Sequence, residues 1–284
     1  MRLGFLTSFT KEALELAKEA GCTSLEIGVG VGSPLDATKF NRAQADKALE
    51  AAAKAGVKIS AFGRYCNMLD PDPAKRQGNV DYLLKLIDQA AAMGVPVVCT
   101  FAGALPGTGI PDTIPEFKRV WTPIIKHAEE RGIKVAIENC PMFCGYPFQG
   151  MNIAYKPEAW DLMFEAVPSP NLGLEFDPSH LYWLHVDYLL ALKTYGARVH
   201  HVHAKDTEIL YDRFGVEGIY GKGWWRFRIP GWGEIDWQRF VAALWDVGYQ
   251  GDINIEHEDP VFEGEHRAEG IKLGVAHLRQ YVIG

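Results

Sequence analysis

Short apolar segments alternate with helix-forming segments along the whole chain, and this alternation restricts the folds open to it. The segments with strand character are 2–8, 23–30, 57–66, 95–103, 133–139, 172–180, 198–206 and 252–259. The segments with helical periodicity are 10–20, 41–55, 74–93, 113–131, 157–167, 186–195, 237–248 and 264–281. Regular strand–helix alternation implies parallel strands joined by right-handed crossovers. The pattern predicts an α/β fold, a single (β/α)8 TIM barrel formed by residues 1–284.

Glycines and capping residues support these boundaries. Glycine adopts the left-handed conformation that stops a helix, so we expect a C-cap wherever glycine follows a helical segment. The glycines in such positions are Gly21, Gly56, Gly94, Gly132, Gly196 and Gly248. Thr113 followed by Glu116 has the form of a capping box, which predicts the start of the fourth helix. A G-x-G-x-x-G fingerprint after an early strand is absent, which argues against a dinucleotide-binding sheet.

Composition narrows the class of protein and its partners. A chain of 284 residues that is 48% hydrophobic can bury a large core without needing disulfide cross-links. Its net charge of -7, without a run of lysine or arginine, argues against nucleic acid as a partner. The N-terminus has no signal-peptide pattern, and no apolar stretch is long enough to span a bilayer. Five cysteines, mostly beside apolar strands, are expected to be reduced thiols. We therefore expect a cytoplasmic protein without membrane contact.

Four successive strands, from residue 133 onward, end in a polar side chain. The segments IKVAIEN, LGLEFDPSH, RVHHVHAKD and DINIEHED supply Glu138, Asp177, His203 and Glu256. Active sites of such barrels lie at the C-terminal ends of the strands. Alternate side chains of a strand face opposite sides, and the large apolar ones are expected to pack against the helices. The three acids are therefore expected to point into the barrel.

Acids that converge in a buried place must be protonated, paired or bound to a cation. One imidazole and three carboxylates form a mostly oxygen-donor set, which suits Mn²⁺ first, Mg²⁺ or Co²⁺ next, and Zn²⁺ less well. Taken singly, each residue has a simpler interpretation, since Asp177 before Pro178 and Ser179 has the form of a helix or turn cap. Four such residues on consecutive strands predict one divalent-metal site.

The series IENCPM, LEFDPSHL, HVHAKD, RIPGWGEIDW and INIEHEDP resembles the xylose isomerase-like TIM barrel family. That family of sugar phosphate isomerases and epimerases includes ketose 3-epimerases, hydroxypyruvate isomerase, inosose dehydratase and an endonuclease IV branch. The resemblance covers essentially the whole chain and is densest from residue 133 onward. It implies that the four strand-end residues are metal ligands. It also implies substrate contacts by His180, Lys205, Arg226 and Arg228, without choosing between the two arginines.

The activity that the resemblance implies is metal-dependent isomerisation or epimerisation of a ketose or keto sugar through a metal-stabilised enediolate. Glu138 and Glu256 would be the catalytic pair, one removing the α-proton and the other returning it on the opposite face. A single glutamate doing both would give aldose–ketose isomerisation. If the substrate lost its β-hydroxyl instead, the protein would be a lyase or dehydratase. Lys205, as an additional acid or base, is the reason for this hypothesis. An unphosphorylated sugar is favoured, and a homo-oligomer is expected by analogy.

Two other functions to consider are a DNA-repair endonuclease and a non-catalytic sugar-binding protein. A DNA-repair endonuclease of the family needs early histidines, but the first histidine here is His127, so this class is rejected. A non-catalytic sugar-binding protein stays open. The loop 220–232, rich in Trp and Gly, is expected either to cover a sugar or to serve as a packing element. The same mouth is expected to be lined by Trp183, Phe143, Tyr146 and Phe148. Further candidates for contacts with sugar hydroxyls are Glu26, Arg64 and Asn67, and structural roles are assigned to His200 and His201.

Overall fold

A closed barrel of eight parallel strands forms the centre of the molecule, of which the computed structural model describes residues 1–144 and 149–283. The strands are β1 (Arg2–Thr7), β2 (Ser24–Gly28), β3 (Lys58–Arg64), β4 (Val97–Thr100), β5 (Lys134–Glu138), β6 (Phe143–Cys144), β7 (Gln149–Gly150), β8 (Leu172–Phe176), β9 (Val199–Ala204), β10 (Asp206–Ile209), β11 (Trp225–Arg228) and β12 (Asp252–Ile255). Around the barrel the order is β1, β2, β3, β4, β5, β8, β9 and β12, which pairs again with β1. The predicted barrel and its eight strands are confirmed.

Helices connect the strands and cover the barrel. They are α1 (Lys11–Ala20), α2 (Arg42–Lys54), α3 (Pro73–Met93), α4 (Ile110–Arg131), α5 (Pro157–Ala166), α6 (Pro178–Trp183), α7 (Tyr188–Tyr195), α8 (Tyr211–Glu217), α9 (Trp237–Asp246) and α10 (Arg267–Leu278). Single 3₁₀ turns lie at Ala37–Lys39, Gly196–Arg198 and Gly264–His266. Within the part of the chain that the structure describes, no helix has the length and apolar character needed to cross a membrane.

Five of the six glycines predicted at helix ends have the left-handed conformation, although at Gly56 and Gly248 the C-cap is the preceding residue. Gly21, Gly94 and Gly132 are C-caps in the left-handed conformation, with φ of 69°, 69° and 67°. Gly196 was predicted to be a C-cap of the same kind, but it has φ of -52° and continues into a 3₁₀ turn. A Cβ atom at this position would lie 2.4 Å from Val247 Cβ. Close packing between two elements, rather than backbone conformation, therefore explains this glycine.

The start of α4 also differs from the prediction. Thr113 was expected to be the N-cap, but the helix begins at Ile110 after Gly109, with Pro111 in its first turn. Thr113 is buried, and its hydroxyl donates to the Gly109 carbonyl at 3.0 Å. Proline fits the first turn of a helix because its missing N–H is not needed there. The proline therefore marks the helix start better than the threonine does.

The barrel strands divide their side chains between two environments, as their alternation predicted. Large apolar residues such as Phe5, Phe62 and Phe176 point outward and join the main core beneath the helices. Inside the barrel a small cluster fills part of the space: Ala61, Val97, Cys99 and Ala136. The remaining inward positions hold buried polar side chains, which include Glu26, Glu138, Glu175, His201, His203 and Asn254. The interior at the carboxyl ends of the strands is therefore polar.

Candidate metal centre and substrate cavity

Four polar side chains converge where the barrel strands end. Glu138 closes β5, Asp177 follows β8, His203 lies in β9 and Glu256 follows β12. Each offers one ligand atom, and these four atoms all lie within 4.8 Å of one another. Glu138, Asp177 and His203 are buried, and the Glu256 side chain is 16% exposed. The structure thus brings together the four residues that the sequence offered as metal ligands.

Hydrogen bonds orient Asp177 toward this cluster. Its backbone N–H donates to Asn139 Oδ1 at 2.7 Å, and Asn139 Nδ2 donates to the Asp177 carbonyl at 2.8 Å. Its Oδ1 accepts from the Ser179 N–H at 2.8 Å, at the start of α6. Its Oδ2 has no hydrogen-bond partner among the described residues, and His180 Nε2 and Lys205 Nζ lie 3.4 and 3.3 Å away. One oxygen therefore caps a helix while the other faces the cluster.

The donor set fits a divalent cation. Carboxylate oxygens with one imidazole suit Mn²⁺ or Mg²⁺, and Zn²⁺ also accepts both donor types. A buried oxygen without a partner, such as Asp177 Oδ2, calls for a ligand or an ion. Glu26 and Glu175 add two more fully buried carboxylates nearby, whereas Lys205 is the only lysine in ion-pair contact with the cluster among the described residues. The excess of buried acid favours a cation at this place.

Lys205 holds a central position beside the cluster. Its Nζ lies 2.5 Å from Glu256 Oε2, 2.9 Å from Glu258 Oε2 and 4.4 Å from the centre of the Phe227 ring. Burial alone would lower the pKa of Lys205, but the charges of Glu256 and Glu258 raise that pKa well above its usual value. Burial tends to raise the pKa of Glu256, yet the Lys205 and His203 charges bring it well below its usual value. The pair is therefore a charged lysine and a carboxylate.

A second polar layer lies deeper in the barrel, beneath His203. It consists of Glu26, Tyr65, Glu175 and His201, with the Tyr65 hydroxyl 2.5 Å from Glu26 Oε1 and 2.8 Å from Glu175 Oε2. Burial and the neighbouring charge of Glu26 raise the pKa of Glu175 to about 7. Sequence reasoning missed Glu175 and Tyr65 as site residues, although Glu175 shares the inward face of β8 with Asp177. It placed Glu26 among possible hydroxyl contacts, whereas the side chain is fully buried beneath the ligands.

A cavity of about 430 Å³ opens above the ligand cluster. The described residues that line this cavity have apolar, aromatic and charged side chains. They are Tyr65, Phe101, Glu138, Cys140, Pro141, Met142, His180, Trp183, Lys205, Trp225, Phe227, Glu256 and Glu258. Trp183 and Trp225 stack with ring centres 4.5 Å apart and an angle of 7° between their planes. Phe227 meets His180 edge to face at 5.2 Å. The cavity therefore has an aromatic wall on one side and the acidic cluster at its base.

The two arginines expected near the substrate lie on β11, outside the cavity lining. Arg226 Nε donates to Glu208 Oε2 at 2.7 Å, across the antiparallel β10–β11 pair. Arg228 pairs with Glu208 and Asp259, each at 3.0 Å. His180 and Lys205, the other two predicted contacts, do line the cavity. The structure thus brings two of these four residues to the cluster and joins the arginines to carboxylates beside it.

Asp206, the last residue of the HVHAKD segment, organises the aromatic wall. Its carboxylate accepts hydrogen bonds from the backbone N–H groups of Thr207, Gly231 and Ile235 and from Trp237 Nε1, at 2.8 to 2.9 Å. These bonds fix the strand that follows Lys205 and the loop before α9. The carboxylate therefore holds in place the hairpin that carries Trp225 and Phe227.

The remaining sequence candidates divide by location. Trp183 lines the cavity, and Asn67 instead accepts hydrogen bonds from the N–H groups of Leu69 and Ala104. Arg64 lies over the Tyr82 ring, 5.0 Å from its centre. Within the 220–232 loop, Trp225 lines the cavity, whereas Trp224 is buried against other aromatic rings. The loop thus contributes to the cavity wall and to packing, and its contact with a sugar stays a prediction. Tyr146, Phe148 and the side chain of Phe143 lie outside the described residues.

The same fold occurs in several solved protein structures. The IolI protein, solved with a zinc atom, superposes over the full length of both chains with a TM-score of 0.76 and 20% identity. D-psicose 3-epimerase from Clostridium cellulolyticum H10, solved with D-tagatose, matches 99% of each chain with a TM-score of 0.70 and 16% identity. Mannonate dehydratase from Streptococcus suis serotype 2 has a TM-score of 0.75 over 99% of this chain and 95% of its own, with 16% identity. At these identities the similarity establishes the fold.

Sequence relatives extend the comparison. The uncharacterized protein YfiH of Bacillus subtilis (strain 168) is 26% identical over 99% of both chains. The inosose dehydratase of Clostridium perfringens (strain 13 / Type A) is 30% identical over 47% of this chain and 43% of its own length. The sequence pattern of one family, described as xylose isomerase-like TIM barrel, matches residues 14–281. A match across nearly the whole sequence, on a closed barrel of the same architecture, shows that this chain belongs to the xylose isomerase-like TIM barrel family.

Proposed function

We propose that this chain is a divalent-metal-dependent sugar isomerase or epimerase that acts on an unphosphorylated ketose or keto sugar. The observation that carries the proposal is the convergence of Glu138, Asp177, His203 and Glu256 at the base of an aromatic-walled cavity. The family, whose relatives include epimerases and dehydratases by name, supports an enzymatic role. A cytoplasmic location and a homo-oligomeric state stay predictions from the sequence.

The same four residues would hold the cation, with Mn²⁺ preferred over Mg²⁺, Co²⁺ and Zn²⁺ because three of the four donors are carboxylates. When bound there, such an ion polarises a carbonyl group and stabilises the negative charge that develops as a neighbouring proton leaves. Asp177 and His203 are completely buried and do not belong to the cavity lining, so we assign them as ligands rather than proton carriers. Glu138 and Glu256 both reach the cavity lining and are the candidates for proton transfer.

Glu138 and Glu256 approach the cavity from different sides of the barrel. Their strands, β5 and β12, are separated by β8 and β9 in the barrel order. A proton taken from a carbon by one carboxylate can therefore be replaced from the other side by the second, which inverts that carbon. Lys205 and His203 hold the pKa of Glu256 well below its usual value against the opposing effect of burial, so Glu256 is ionised and can serve as the base.

The cavity lining favours an uncharged polyol over a phosphate ester. Lys205 is the only lysine or arginine among the described residues that line it, and its Nζ is already paired with Glu256 and Glu258. Phosphate groups are usually held by arginine, lysine or helix N-termini. The stacked Trp183 and Trp225 offer a flat apolar face of the kind that covers the C–H side of a sugar ring. The acidic base of the cavity supplies the polar contacts for hydroxyl groups.

A lyase is the second candidate, favoured by the pairing of Lys205 with Glu258. Glu258 lines the cavity and is 47% exposed on its side chain, so it connects the buried Lys205 to solvent. An ammonium group beside the reacting carbon can protonate a departing hydroxyl group, which is the step that separates dehydration from epimerisation. The partial sequence similarity to inosose dehydratases points to the same chemistry.

Solvent-exchange measurement tests the proposal. The metal-loaded protein is incubated with a panel of unphosphorylated ketoses and inososes in deuterium oxide, and products are followed by NMR and mass spectrometry. Deuterium gained at an α-carbon supports an isomerase or epimerase, and loss of one water from the product supports the lyase. Glu138→Gln and Glu256→Gln are each expected to abolish exchange. Absence of exchange and elimination across the panel with metal-loaded protein contradicts both.

A further inference from the structure

The two ring nitrogens of His203 face different groups. Nδ1 lies 3.3 Å from Glu138 Oε1 and 3.3 Å from Glu256 Oε2, on the side of the ligand cluster. Nε2 lies 2.8 Å from Glu26 Oε2 and 3.1 Å from Glu175 Oε1, on the inner side. A neutral imidazole carries its proton on one nitrogen only, and a carboxylate beside Nε2 accepts that proton in a hydrogen bond. The lone pair of Nδ1 then faces the cluster.

The inner carboxylates are themselves fixed in place. The Tyr65 hydroxyl lies within hydrogen-bond distance of both, 2.5 Å from Glu26 and 2.8 Å from Glu175. His201 Nδ1 lies 2.9 Å from the Glu175 oxygen that also faces His203. Glu26, Glu175 and His201 are buried, so these contacts are sheltered from water. Each carboxylate therefore has one oxygen beside the Tyr65 hydroxyl, which donates to one of the two, and its other oxygen directed to the His203 ring.

The backbone leaves room for this arrangement at Gly63. A Cβ atom there would lie 2.6 Å from Glu26 Oε1 and 2.9 Å from the Tyr65 ring. Real Cβ atoms do not approach other atoms so closely, so any larger residue on β3 would push the carboxylate or the ring away. Glu26 lies on β2, Gly63 on β3 and Glu175 on β8, and Tyr65 directly follows β3. The inner layer is thus built by residues far apart in the sequence.

We infer that Glu26 and Glu175 are positioning residues that fix the tautomer and orientation of His203, so that its Nδ1 serves as a metal ligand. The inference rests on the proposed metal site. A carboxylate that accepts the second N–H of a ligating histidine fixes the ring and raises its basicity, and its loss weakens metal binding by about 10- to 100-fold. Tyr65 assists by holding the carboxylate of Glu26.

A competing use of the inner layer is a second cation site. One ligand atom each from Glu26, Cys99, Glu175 and His201 also lies within 4.8 Å of the others. The carboxylates are, however, already engaged with His203, His201 and Tyr65. An ion bound there would displace these hydrogen bonds. The present geometry favours carboxylates that orient His203. The number of metal ions bound per chain distinguishes this role from a second cation site.

The test compares Co²⁺ binding to metal-free wild-type protein and to Glu26→Gln, with affinity measured by chelator competition and ligand geometry by the visible spectrum of Co²⁺. Asp252→Asn is the matched control, because Asp252 is a buried barrel carboxylate that pairs with Arg2 at 2.7 Å where β12 begins. We expect about one ion per wild-type chain, about 10- to 100-fold weaker binding and an altered spectrum in Glu26→Gln, and neither change in Asp252→Asn. Circular dichroism verifies that both variants are folded.

Each other outcome has a distinct meaning. If the wild-type protein binds no ion, the proposed metal site fails, and the positioning role fails with it. If wild-type protein binds one ion and Glu26→Gln binds it equally tightly with the same spectrum, the positioning role is overturned while the metal site stands. Two ions per wild-type chain, one of them lost in Glu26→Gln, overturn the inference in favour of a second metal site. Should Glu26→Gln not fold, Tyr65→Phe, with a smaller expected loss of affinity, replaces it.

Discussion

Lys205 Nζ lies 2.5 Å from Glu256 Oε2, and this contact joins the buried lysine of the cavity to one of the proposed metal ligands. The same ammonium group pairs with Glu258 at 2.9 Å and rests against the Phe227 ring. It therefore connects the acidic base of the cavity, the aromatic wall and the solvent-facing rim. The ionisation of Glu256 depends on it.

Lys205→Met is expected to move the acid limb of the pH–rate profile to higher pH. The Lys205 charge lowers the pKa of Glu256, so its removal raises that pKa. Activity that needs ionised Glu256 is then lost at a higher pH than in the wild-type protein. The measurement is the pH dependence of kcat/KM for proton exchange, with Lys205→Arg as the charge-preserving control. An acid limb that stays in place in Lys205→Met contradicts this role.

Asn139→Ala is expected to weaken both the fold and the metal site. Asn139 exchanges two hydrogen bonds with the backbone of Asp177, at 2.7 and 2.8 Å, in a fully buried place. Loss of both leaves an N–H and a carbonyl of Asp177 unsatisfied, which should cost about 2 to 5 kcal/mol of unfolding free energy. Urea unfolding of the metal-free protein measures the loss, and Mn²⁺ titration measures the expected fall in affinity.

Asn171→Ala is the matched control for that variant. Asn171 also ties neighbouring segments, since its Nδ2 donates to the Ile133 carbonyl at 2.8 Å, but it lies before β8 at the other end of the barrel. Its loss should lower stability without changing Mn²⁺ affinity. If the two asparagine variants weaken Mn²⁺ binding equally, the effect of Asn139 is general loosening of the barrel and not the orientation of Asp177.

Trp225→Ala is expected to raise KM by about tenfold with little change in kcat. Trp225 stacks on Trp183 at 4.5 Å and lines the cavity, and the loss of an aromatic face worth about 1.4 kcal/mol corresponds to tenfold weaker binding. Trp232→Ala is the control, because Trp232 is on the same loop but 48% exposed and packed on Phe262 outside the cavity lining. Steady-state kinetics with the best ketose from the exchange panel provides the measurement. Equal KM values for the two variants contradict a sugar-contacting wall.

The barrel and its ligand cluster could be predicted because both depend on local pattern. Strand–helix alternation specifies the topology. The two-residue period of a strand directs Glu138 and Glu256 into the barrel, while their apolar neighbours point outward. Parallel strands then bring all carboxyl ends to one rim, so residues such as Asp177 and His203 meet without any long-range information. The same period also directs Glu175 inward, where it meets His203.

The hairpin and the inner layer could not be predicted from local pattern. The β10–β11 pair depends on Asp206, whose hydrogen-bond partners Gly231, Ile235 and Trp237 lie 25 to 31 residues further along the chain. Tyr65 meets its carboxylate partners from strands that are distant in sequence, and nothing in its neighbourhood distinguishes it from a core tyrosine. Family resemblance alone singled out Arg226 and Arg228, and only the hairpin geometry shows their pairing with Glu208.

His200 should make the stability of the protein fall as the pH decreases. Burial, with the nearby charges of Lys134 and Arg198, lowers the pKa of His200 from its ordinary 6.5 to about 4. Its ring lies directly over Gly173, where an added Cβ would come within 2.4 Å of it. Between these two pKa values the unfolded chain binds a proton that the folded chain does not. The unfolding free energy therefore drops as the pH falls from about 6.5 to 4, by up to about 3 kcal/mol.

His200→Asn removes this contribution, so the stability difference between wild type and variant should change with pH across that window and stay constant above it. Urea unfolding at pH 7.5 and pH 5, with a chelator present so that metal binding does not contribute, measures the difference. Lys134→Met keeps the buried ring and removes one of the charges, and it is expected to reduce the pH dependence only in part. A wild-type-to-variant difference that is the same at both pH values would show that His200 is protonated equally in the folded and unfolded states.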